Sequence, residues 1–147
     1  MANDRHIREV MTPNPVCVSD KDSIREAARI MAREDTGVVP VVDNGRKIIG
    51  MITDRDIVVR LVAEGKDPSN AKVNEAMTKN VRSIKEDSTI DDALNVMKGS
   101  EVRRVPVVNN NNEIVGIVSM GDIAKESQQR GRVGEAVKDI SDAPPNN

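Results

Sequence analysis

An internal repeat with a constant offset of 66 residues constrains the fold of this chain more than any other feature. Met-Thr at residues 11–12 recurs at 77–78, and Val-Pro-Val-Val at residues 39–42 recurs at 105–108. The two halves align without a gap from residue 11 to residue 57. Because each half holds only about 55 residues, it is too small to bury a sufficient core alone, and we expect the two halves to form one module.

Each half shows the same alternation of strand and helix patterns. Ser23 begins a helix with a capping box, Asn44-Gly45 is a hairpin turn signal, and Pro40 inside an apolar run predicts an edge strand or a bulge. The elements predicted for the first half are a lead-in helix at 6–11, a strand at 16–18, a helix from residue 23, strands at 38–42 and 48–52 and a helix at 54–63. Those predicted for the second half are a lead-in helix at 73–77, a strand at 81–84, a helix at 89–98, strands at 102–108 and 113–118 and a helix at 121–128.

Both halves place a hydroxyl and a carboxylate together where a strand ends and a helix begins. Thr53 is followed three residues later by Asp56, and Ser119 is followed in the same way by Asp122. Such a corner suits a ligand that carries vicinal hydroxyls and a phosphate. The same spacing is also a helix capping box, which needs no ligand, as at Thr89, and one hydroxyl can serve both purposes.

The composition argues against several classes of function. With 22 basic and 24 acidic residues the net charge is −2, and Phe, Tyr and Trp are absent, so we expect no nucleic-acid partner and no membrane binding. No apolar run of about 18 residues occurs, so no membrane span is predicted. Cys17 and His6 are the only residues of their types, and they provide neither an ordinary zinc site nor a catalytic pair. The sequence therefore predicts a cytoplasmic protein with no metal site and no catalytic residues.

The ordered motifs resemble a tandem pair of CBS domains, the arrangement called a Bateman module. They are a Thr-x-x-Pro-Val opening at 12–16, a hydrophobic-Pro-Val strand, and Gly-h-h-Thr/Ser-x-x-Asp before the last helix; the second opening, at 78–82, lacks the Pro-Val. The resemblance, which extends to small stand-alone bacterial and archaeal proteins, implies an α+β fold of two β-α-β-β-α CBS repeats related by a pseudo-twofold axis. It covers about residues 7–128, with CBS domain 1 at 7–64 and CBS domain 2 at 73–128. The composition predicts a linker at 65–72 and a partly disordered C-terminal tail at 129–147, with a short helix near 135–140.

The resemblance also implies an adenosine compound as ligand in the clefts between the repeats: AMP, ADP or ATP, or NAD or S-adenosylmethionine. In the family pattern the Asp holds the ribose hydroxyls and the Thr or Ser hydroxyl assists near the ribose or phosphate. A carboxylate suits that role because it accepts strong charge-assisted hydrogen bonds. Basic residues ahead of the hydrophobic-Pro-Val strand of one repeat reach the phosphate held at the other repeat.

Carried over to this chain, the pattern predicts two unequal sites. Site A takes Asp56 and Thr53 for the ribose, Arg103 or Arg104 for the phosphate, and Met51, Val81 and Arg82 for the base. Site B takes Asp122 and Ser119, with Ile117, Pro15, Val16 and Val38 around the ligand. Arg103 and Arg104 have Gly37 and Val38 as their counterparts, so we expect site A to prefer phosphorylated ligands and site B to bind weakly or to take a less charged ligand. The alternatives are ordinary surface charge for the two arginines and core packing for Met51.

These features together predict a regulatory module that senses an adenine nucleotide, with a role in energy sensing, and signals to an unidentified partner protein. It requires no cofactor, and the adenine nucleotide is its regulatory ligand. The resemblance implies a homodimer, for which the outer faces of the last helices, at Ile57, Leu61 and Ile123, are the candidate contact. The alternative is a non-catalytic dimeric scaffold with vestigial ligand sites. An enzyme is disfavoured because no nucleophile–base pair, metal cluster or phosphate-cradling Gly-rich loop is present.

Overall fold

The computed structural model describes residues 5–100 and 102–127, and in these it has the predicted α+β class. Two 3₁₀ turns, Ile7–Glu9 and Val73–Glu75, precede the lead-in strands of the two repeats, and a π-helical segment, Val58–Val62, continues helix α2. The strands are β1 (Thr12–Pro13), β2 (Val18–Ser19), β3 (Val38–Val42), β4 (Ile48–Thr53), β5 (Thr78–Lys79), β6 (Ile84–Lys85), β7 (Arg104–Val108) and β8 (Ile114–Ser119). The α-helices are α1 (Ile24–Glu34), α2 (Asp54–Ile57), α3 (Ile90–Ser100) and α4 (Met120–Ser127). The helix predicted near 135–140 lies outside the described residues.

The described chain divides into two compact units whose boundaries cut across the repeats. The continuous unit consists of residues 15–81, and the split unit combines residues 5–14 with 82–127. The continuous unit holds a four-stranded sheet in the order β2-β3-β4-β5, and the split unit holds one in the order β1-β8-β7-β6. The lead-in strand that opens each repeat therefore joins the sheet built by the other repeat, since β1 pairs with β8 and β5 pairs with β4.

The repeated glycine in each sheet allows the lead-in strand to approach closely. A Cβ atom at Gly50 would lie 2.6 Å from the backbone carbonyl oxygen of Thr78, which is nearer than any real Cβ contact. A Cβ atom at Gly116 would lie 3.0 Å from the carbonyl oxygen of Thr12. The glycines at these equivalent positions are therefore explained by packing against β5 and β1.

Pro40 lies in an inner strand, so the expectation of an edge strand is wrong. Strand β3 is hydrogen-bonded to β2 on one side and β4 on the other, but β2 pairs only with Val41 and Val42. At Pro40 the side of β3 that faces β2 has no paired strand, so the missing proline N–H costs no inter-strand hydrogen bond. The predicted bulge is confirmed by a register shift between Val41 and Val42.

The hairpin predicted at Asn44-Gly45 is confirmed, but a neighbouring residue adopts the left-handed conformation. The Asp43 carboxylate accepts hydrogen bonds from the N–H groups of Gly45 (2.9 Å) and Lys47 (3.0 Å) and so stabilises the turn. Arg46 has a φ of 63°, and the equivalent Asn112 in the second hairpin has a φ of 62°. Asparagine tolerates this region better than arginine does, so the first turn holds the less favourable residue.

The last helices bury two of the three residues expected on their outer faces. Leu61 and Ile123 are fully buried, so the dimer contact predicted through them is wrong. The apolar run after Ile57 gives only Leu61 to the core, while three valines are exposed to solvent. These are Val58 (58 % exposed), Val59 (48 %) and Val62 (57 %). Such an apolar patch is the usual mark of a surface that another molecule covers.

Each unit encloses its own hydrophobic core. The core of the continuous unit comprises Val18, Ile24, Ala27, Ile30, Val39, Val41, Ile52, Leu61, Ala71, Val73, Ala76 and Met77. The core of the split unit comprises Ile7, Ile84, Ile90, Ala93, Leu94, Met97, Val105, Val107, Val118, Met120 and Ile123. Both sets draw on one face of the sheet, on the helix that connects its two parallel strands and on the helical segment after its last hairpin strand. The opposite sheet face is left for Met51 and Ile117.

Candidate ligand-binding site

The first hydroxyl–carboxylate corner is a complete capping box. Strand β4 ends at Thr53, and α2 begins at the next residue. The Asp56 N–H donates to Thr53 Oγ1 (3.0 Å), and the Thr53 N–H donates to Asp56 Oδ2 (3.0 Å). Thr53 is buried, and the Asp56 side chain is 12 % exposed. The second carboxylate oxygen, Oδ1, takes no part in the box and remains able to accept a donor.

The second corner has the same geometry in the split unit. The Asp122 N–H donates to Ser119 Oγ, and the Ser119 N–H donates to Asp122 Oδ2, both at 3.0 Å. A third box at the start of α3 joins Thr89 and Asp92, for which no ligand is predicted. The capping interpretation is thus confirmed at both corners, and Asp92 offers an internal control, because no ligand is predicted for the same local structure there.

Of the residues predicted to lie near the base, Met51 and Ile117 are on sheet strands, and Met51 is buried on the face opposite the core cluster. Met51 pairs across β4 with Pro40 on one side and Thr78 on the other. The alternation of the strand places Met51 opposite Ile52, which belongs to the core. In the split unit Ile117 has the equivalent pair of neighbours, a proline of β7 and a threonine of β1.

Arg60, which the sequence analysis did not single out, lies beside the first carboxylate. Its Nε is 3.9 Å from Asp56 Oδ1, one helical turn earlier. Its Nη1 donates to the carbonyl oxygens of Ala76 (3.2 Å) and Met77 (3.1 Å), just before the lead-in strand β5. The signal that would have found it is its spacing of four residues from Asp56, which places both side chains on one helix face.

The split unit replaces this arginine with an acid. The residue 66 positions after Arg60 is Glu126, and its carboxylate pairs with Arg5, which lies ahead of the first 3₁₀ turn. The hydrogen-bonded Glu126 carboxylate raises the pKa of the Arg5 guanidinium. In both units a charged side chain of the last helix therefore contacts the chain just before a lead-in strand. In the continuous unit this contact places the Arg60 guanidinium next to the corner carboxylate, whereas in the split unit the helix contributes an acid, Glu126.

The other predicted site residues are distributed over both units. Arg104 is half-buried and lies directly opposite Ser119 in the β7–β8 ladder, while Arg103 is exposed and its carbonyl oxygen accepts from the N–H of Met120 (2.7 Å). The remaining positions are Pro15 (half-buried), Val16 (exposed), Val38 (buried, opposite Thr53), Val81 (half-buried) and Arg82 (exposed). Arg82, Arg103 and Arg104 belong to the split unit, so their assignment to site A stays a prediction.

Cys17 is a half-buried thiol whose Sγ donates to the carbonyl oxygen of Pro15 (3.3 Å). Burial raises the pKa of the Cys17 thiol, while the nearby Arg46 guanidinium acts in the opposite direction. A raised pKa means less thiolate at neutral pH and a less reactive sulfur. Within residues 5–100 and 102–127, no three side chains of His, Cys, Asp or Glu converge as a metal site.

None of the helices in the described part of the chain is long and apolar enough to cross a membrane.

Comparison of the sequence with protein families assigns the chain to one of them. The CBS domain model matches residues 7–63 and 73–129, so the chain belongs to the CBS domain family and carries two copies of the domain. The chain thus contains a CBS pair and is similar to stand-alone CBS-domain proteins of bacteria and archaea.

Known members of the family match the chain over most of its length. It is 36 % identical over 135 residues to the CBS domain-containing protein YhcV of Bacillus subtilis (strain 168), covering 92 % of this chain and 94 % of YhcV. It is 36 % identical over 118 residues to Hypoxic response protein 1 of Mycobacterium tuberculosis (strain ATCC 25618 / H37Rv), covering 80 % of this chain and 82 % of that protein.

Two solved structures show the same fold with groups bound. Hypoxic Response Protein I, solved with two coordinated zinc ions, matches with a TM-score of 0.76 at 35 % identity and covers 82 % of this chain and 98 % of its own. The CBS domain pair of protein MJ0100, solved in complex with 5-methylthioadenosine and S-adenosyl-L-methionine, matches with a TM-score of 0.76 at 29 % identity. That match covers 86 % of this chain and 98 % of the MJ0100 chain.

Proposed function

We propose that this CBS pair is a regulatory module that senses an adenine nucleotide through the carboxylates of Asp56 and Asp122. The observation that carries the proposal is the geometry of Asp56. Its Oδ2 is held by the Thr53 N–H, and its Oδ1 remains to accept a hydroxyl, so a carboxylate of fixed orientation is presented to a vicinal diol. The adenosine group shared by 5-methylthioadenosine and S-adenosyl-L-methionine, the ligands of the MJ0100 pair, carries such a diol.

The remaining site residues are proposed as the family pattern places them. In site A the ribose contacts Asp56 and Thr53, the base contacts Met51, Val81 and Arg82, and the phosphate contacts Arg103 or Arg104. In site B the ribose contacts Asp122 and Ser119, and Ile117, Pro15, Val16 and Val38 surround the rest of the ligand. The difference in cationic residues supports a preference of site A for phosphorylated ligands.

Two further parts of the proposal concern the cellular setting. The module is a homodimer that passes its signal, connected with energy state, to a partner protein, and the three exposed valines at 58, 59 and 62 support a protein contact on the last helix of the first repeat. A cytoplasmic location is supported by the single thiol of Cys17, since reducing compartments favour unpaired cysteines.

Calorimetric titration of nucleotide-free protein tests the proposed ligand class. AMP, ATP, NAD and S-adenosylmethionine are titrated separately, with inosine and guanosine monophosphates as controls that keep the ribose and phosphate but change the base. We expect saturable heat with at least one adenine compound. The two controls should bind at least about tenfold more weakly, because a hydrogen-bonding group of the base without a partner in the protein costs more than about 1 kcal/mol of binding free energy. Folded protein that gives no heat with any adenine compound would favour the scaffold alternative.

Replacing Arg104 with methionine separates phosphate recognition from nucleoside recognition. We expect AMP affinity to fall about tenfold and adenosine affinity to change little, since one charge-assisted contact to phosphate is removed. Arg33→Met, at an exposed arginine near the end of α1, controls for the change in net charge. Equal losses for AMP and adenosine would contradict a phosphate role.

The same variant also assigns the arginine to one of the two carboxylates. Arg104 lies opposite Ser119 in its own sheet, whereas the family pattern assigns it to the ligand of Asp56. We therefore titrate Arg104→Met in the Asp122→Ala background. A tenfold loss of AMP affinity that persists there places the phosphate contact with site A, and its disappearance places the contact with site B.

A further inference from the structure

Arg60 contacts two parts of the continuous unit that are distant from each other in sequence, Asp56 and the turn at Ala76 and Met77. Its Nε lies 3.9 Å from Asp56 Oδ1, and its Nη1 donates to the carbonyl oxygens of Ala76 and Met77 at 3.2 and 3.1 Å. A guanidinium group presents its donors in one rigid plane, so a shift at one of these contacts changes the geometry of the others. Arg60 is thereby a rigid connection between the corner carboxylate and the end of the second 3₁₀ turn.

The carbonyl oxygens that Arg60 binds belong to a short turn with weak internal support. The N–H groups of Ala76 and Met77 both donate to the single carbonyl oxygen of Val73, at 3.0 Å. Two donors that share one acceptor make weaker bonds than two with separate acceptors, and 3₁₀ geometry is itself poor. Strand β5 follows at once and pairs through only two residues, Thr78 and Lys79. The side chains of Val73, Ala76 and Met77 anchor the lead-in segment 73–79 in the core, and its weakly bonded backbone gains a further contact from Arg60.

The charge on Asp56 determines how firmly Arg60 is held. The Arg60 side chain is 50 % exposed, so its attraction to a carboxylate at 3.9 Å is modest and sensitive to what else occupies that carboxylate. A ligand that covers the corner excludes water from it and strengthens the remaining electrostatic contacts. Occupation of Asp56 is thus expected to hold Arg60 more firmly and, through it, the carbonyl oxygens of Ala76 and Met77.

We propose that Arg60 couples occupation of the Asp56 carboxylate to the order of the lead-in segment 73–79, which joins the first repeat to the second. The coupling rests on the proposed function, since it needs a ligand at Asp56. It is specific to this repeat: the equivalent position in the split unit is Glu126, which pairs with Arg5. A ligand at Asp56 is then communicated along the chain between the repeats, and a ligand at Asp122 is not communicated by this route.

Amide hydrogen exchange at Ala76 and Met77, measured by NMR with and without saturating AMP, tests the coupling. These two amides report on the turn that Arg60 contacts and are not among the residues proposed to touch the ligand. In the unaltered protein we expect AMP to slow their exchange at least about fivefold, the lower range of coupling between sites. In Arg60→Met the slowing is expected to vanish, while AMP still binds with affinity about fivefold weaker.

Lys66→Met is the matched control. Lys66 Nζ lies 3.9 Å from Glu75 Oε1, so this variant also removes a cation from the same turn, but from a position that does not contact Asp56. We expect it to keep the AMP-dependent slowing. Undiminished slowing in Arg60→Met, or its equal loss in Lys66→Met, overturns the coupling through Arg60.

The two proposals fail in different ways. AMP binding to the unaltered protein without any slowing at Ala76 and Met77 overturns the coupling and leaves the ligand site standing. Unaltered protein that binds none of the adenine compounds overturns the proposed ligand class, and the coupling falls with it.

Discussion

Replacement of Asp56 with alanine is expected to lower AMP affinity about 100-fold, the equivalent of two hydrogen bonds from ribose hydroxyls to a charged acceptor. The folded state should lose only about 1 kcal/mol, because the variant removes one half of a capping box at a helix start. Binding is measured by calorimetry under conditions where AMP saturates the unaltered protein. Stability is measured by urea unfolding of the same samples.

Asp92→Ala separates the ligand role of Asp56 from its capping role. Asp92 accepts from the Thr89 N–H at 3.0 Å and so forms the same box at the start of α3, where no ligand is proposed. We expect the same loss of about 1 kcal/mol in stability and no change in AMP affinity. If Asp56→Ala and Asp92→Ala bound AMP equally well, Asp56 would be a capping residue only, and the ribose assignment would be wrong.

Gly50→Ala is expected to reduce the free energy of unfolding by about 2 kcal/mol, because overpacking of a close contact forces the backbone to move. The new Cβ would lie 2.6 Å from the Thr78 carbonyl oxygen, which belongs to β5 and has no side-chain rotamer with which to withdraw. The Met77 sulfur would lie at 3.3 Å from the same Cβ. The strain therefore falls on the lead-in segment, and urea unfolding measures the resulting loss in the free energy of unfolding.

Two other glycines provide the comparison. Gly116→Ala meets mainly the flexible Met11 side chain, with the Thr12 carbonyl oxygen at 3.0 Å, so we expect a smaller loss of about 1 kcal/mol. Gly99→Ala meets nothing within 4 Å and should stabilise helix α3 by about 0.5 kcal/mol. A Gly50 variant as stable as the Gly99 variant would show that β5 does not need its close approach to β4.

Local chemistry and repetition made most of the elements predictable from the sequence. The offset of 66 residues predicted two equal sets of elements, and β3 begins and ends as expected at Val38 and Val42. Ser23 caps α1 as predicted, since its Oγ accepts from the Glu26 N–H at 3.2 Å. These features depend on neighbours within a few residues, which a single sequence contains in full.

Features that depend on distant parts of the chain could not be read in the same way. Proline is tolerated in the inner strand β3 because β2 is too short to pair with Pro40, and Leu61 is buried because its helical segment packs on the core of its own unit. The spacing of Arg60 from Asp56 was visible in the sequence, but its contacts with Ala76 and Met77 were not, because a linker of polar and turn-forming residues separates them. Single-sequence patterns describe faces and ends of elements, but they do not report which loop a long side chain reaches.

The exchange of lead-in strands also sets an order of events during synthesis. Residues 15–81 contain every strand of their own sheet, so a nascent chain can complete that unit while the second half is still being translated. The N-terminal strand β1 must instead wait for β8, more than a hundred residues later, before it finds its pairing partner. The entropic cost of closing so long a loop grows only slowly with length, but the native contacts that it delays are highly non-local. Strand β1 is synthesised before the other strands of both sheets but is among the last to acquire its pairing partner, so the second half of the chain determines when β1 folds.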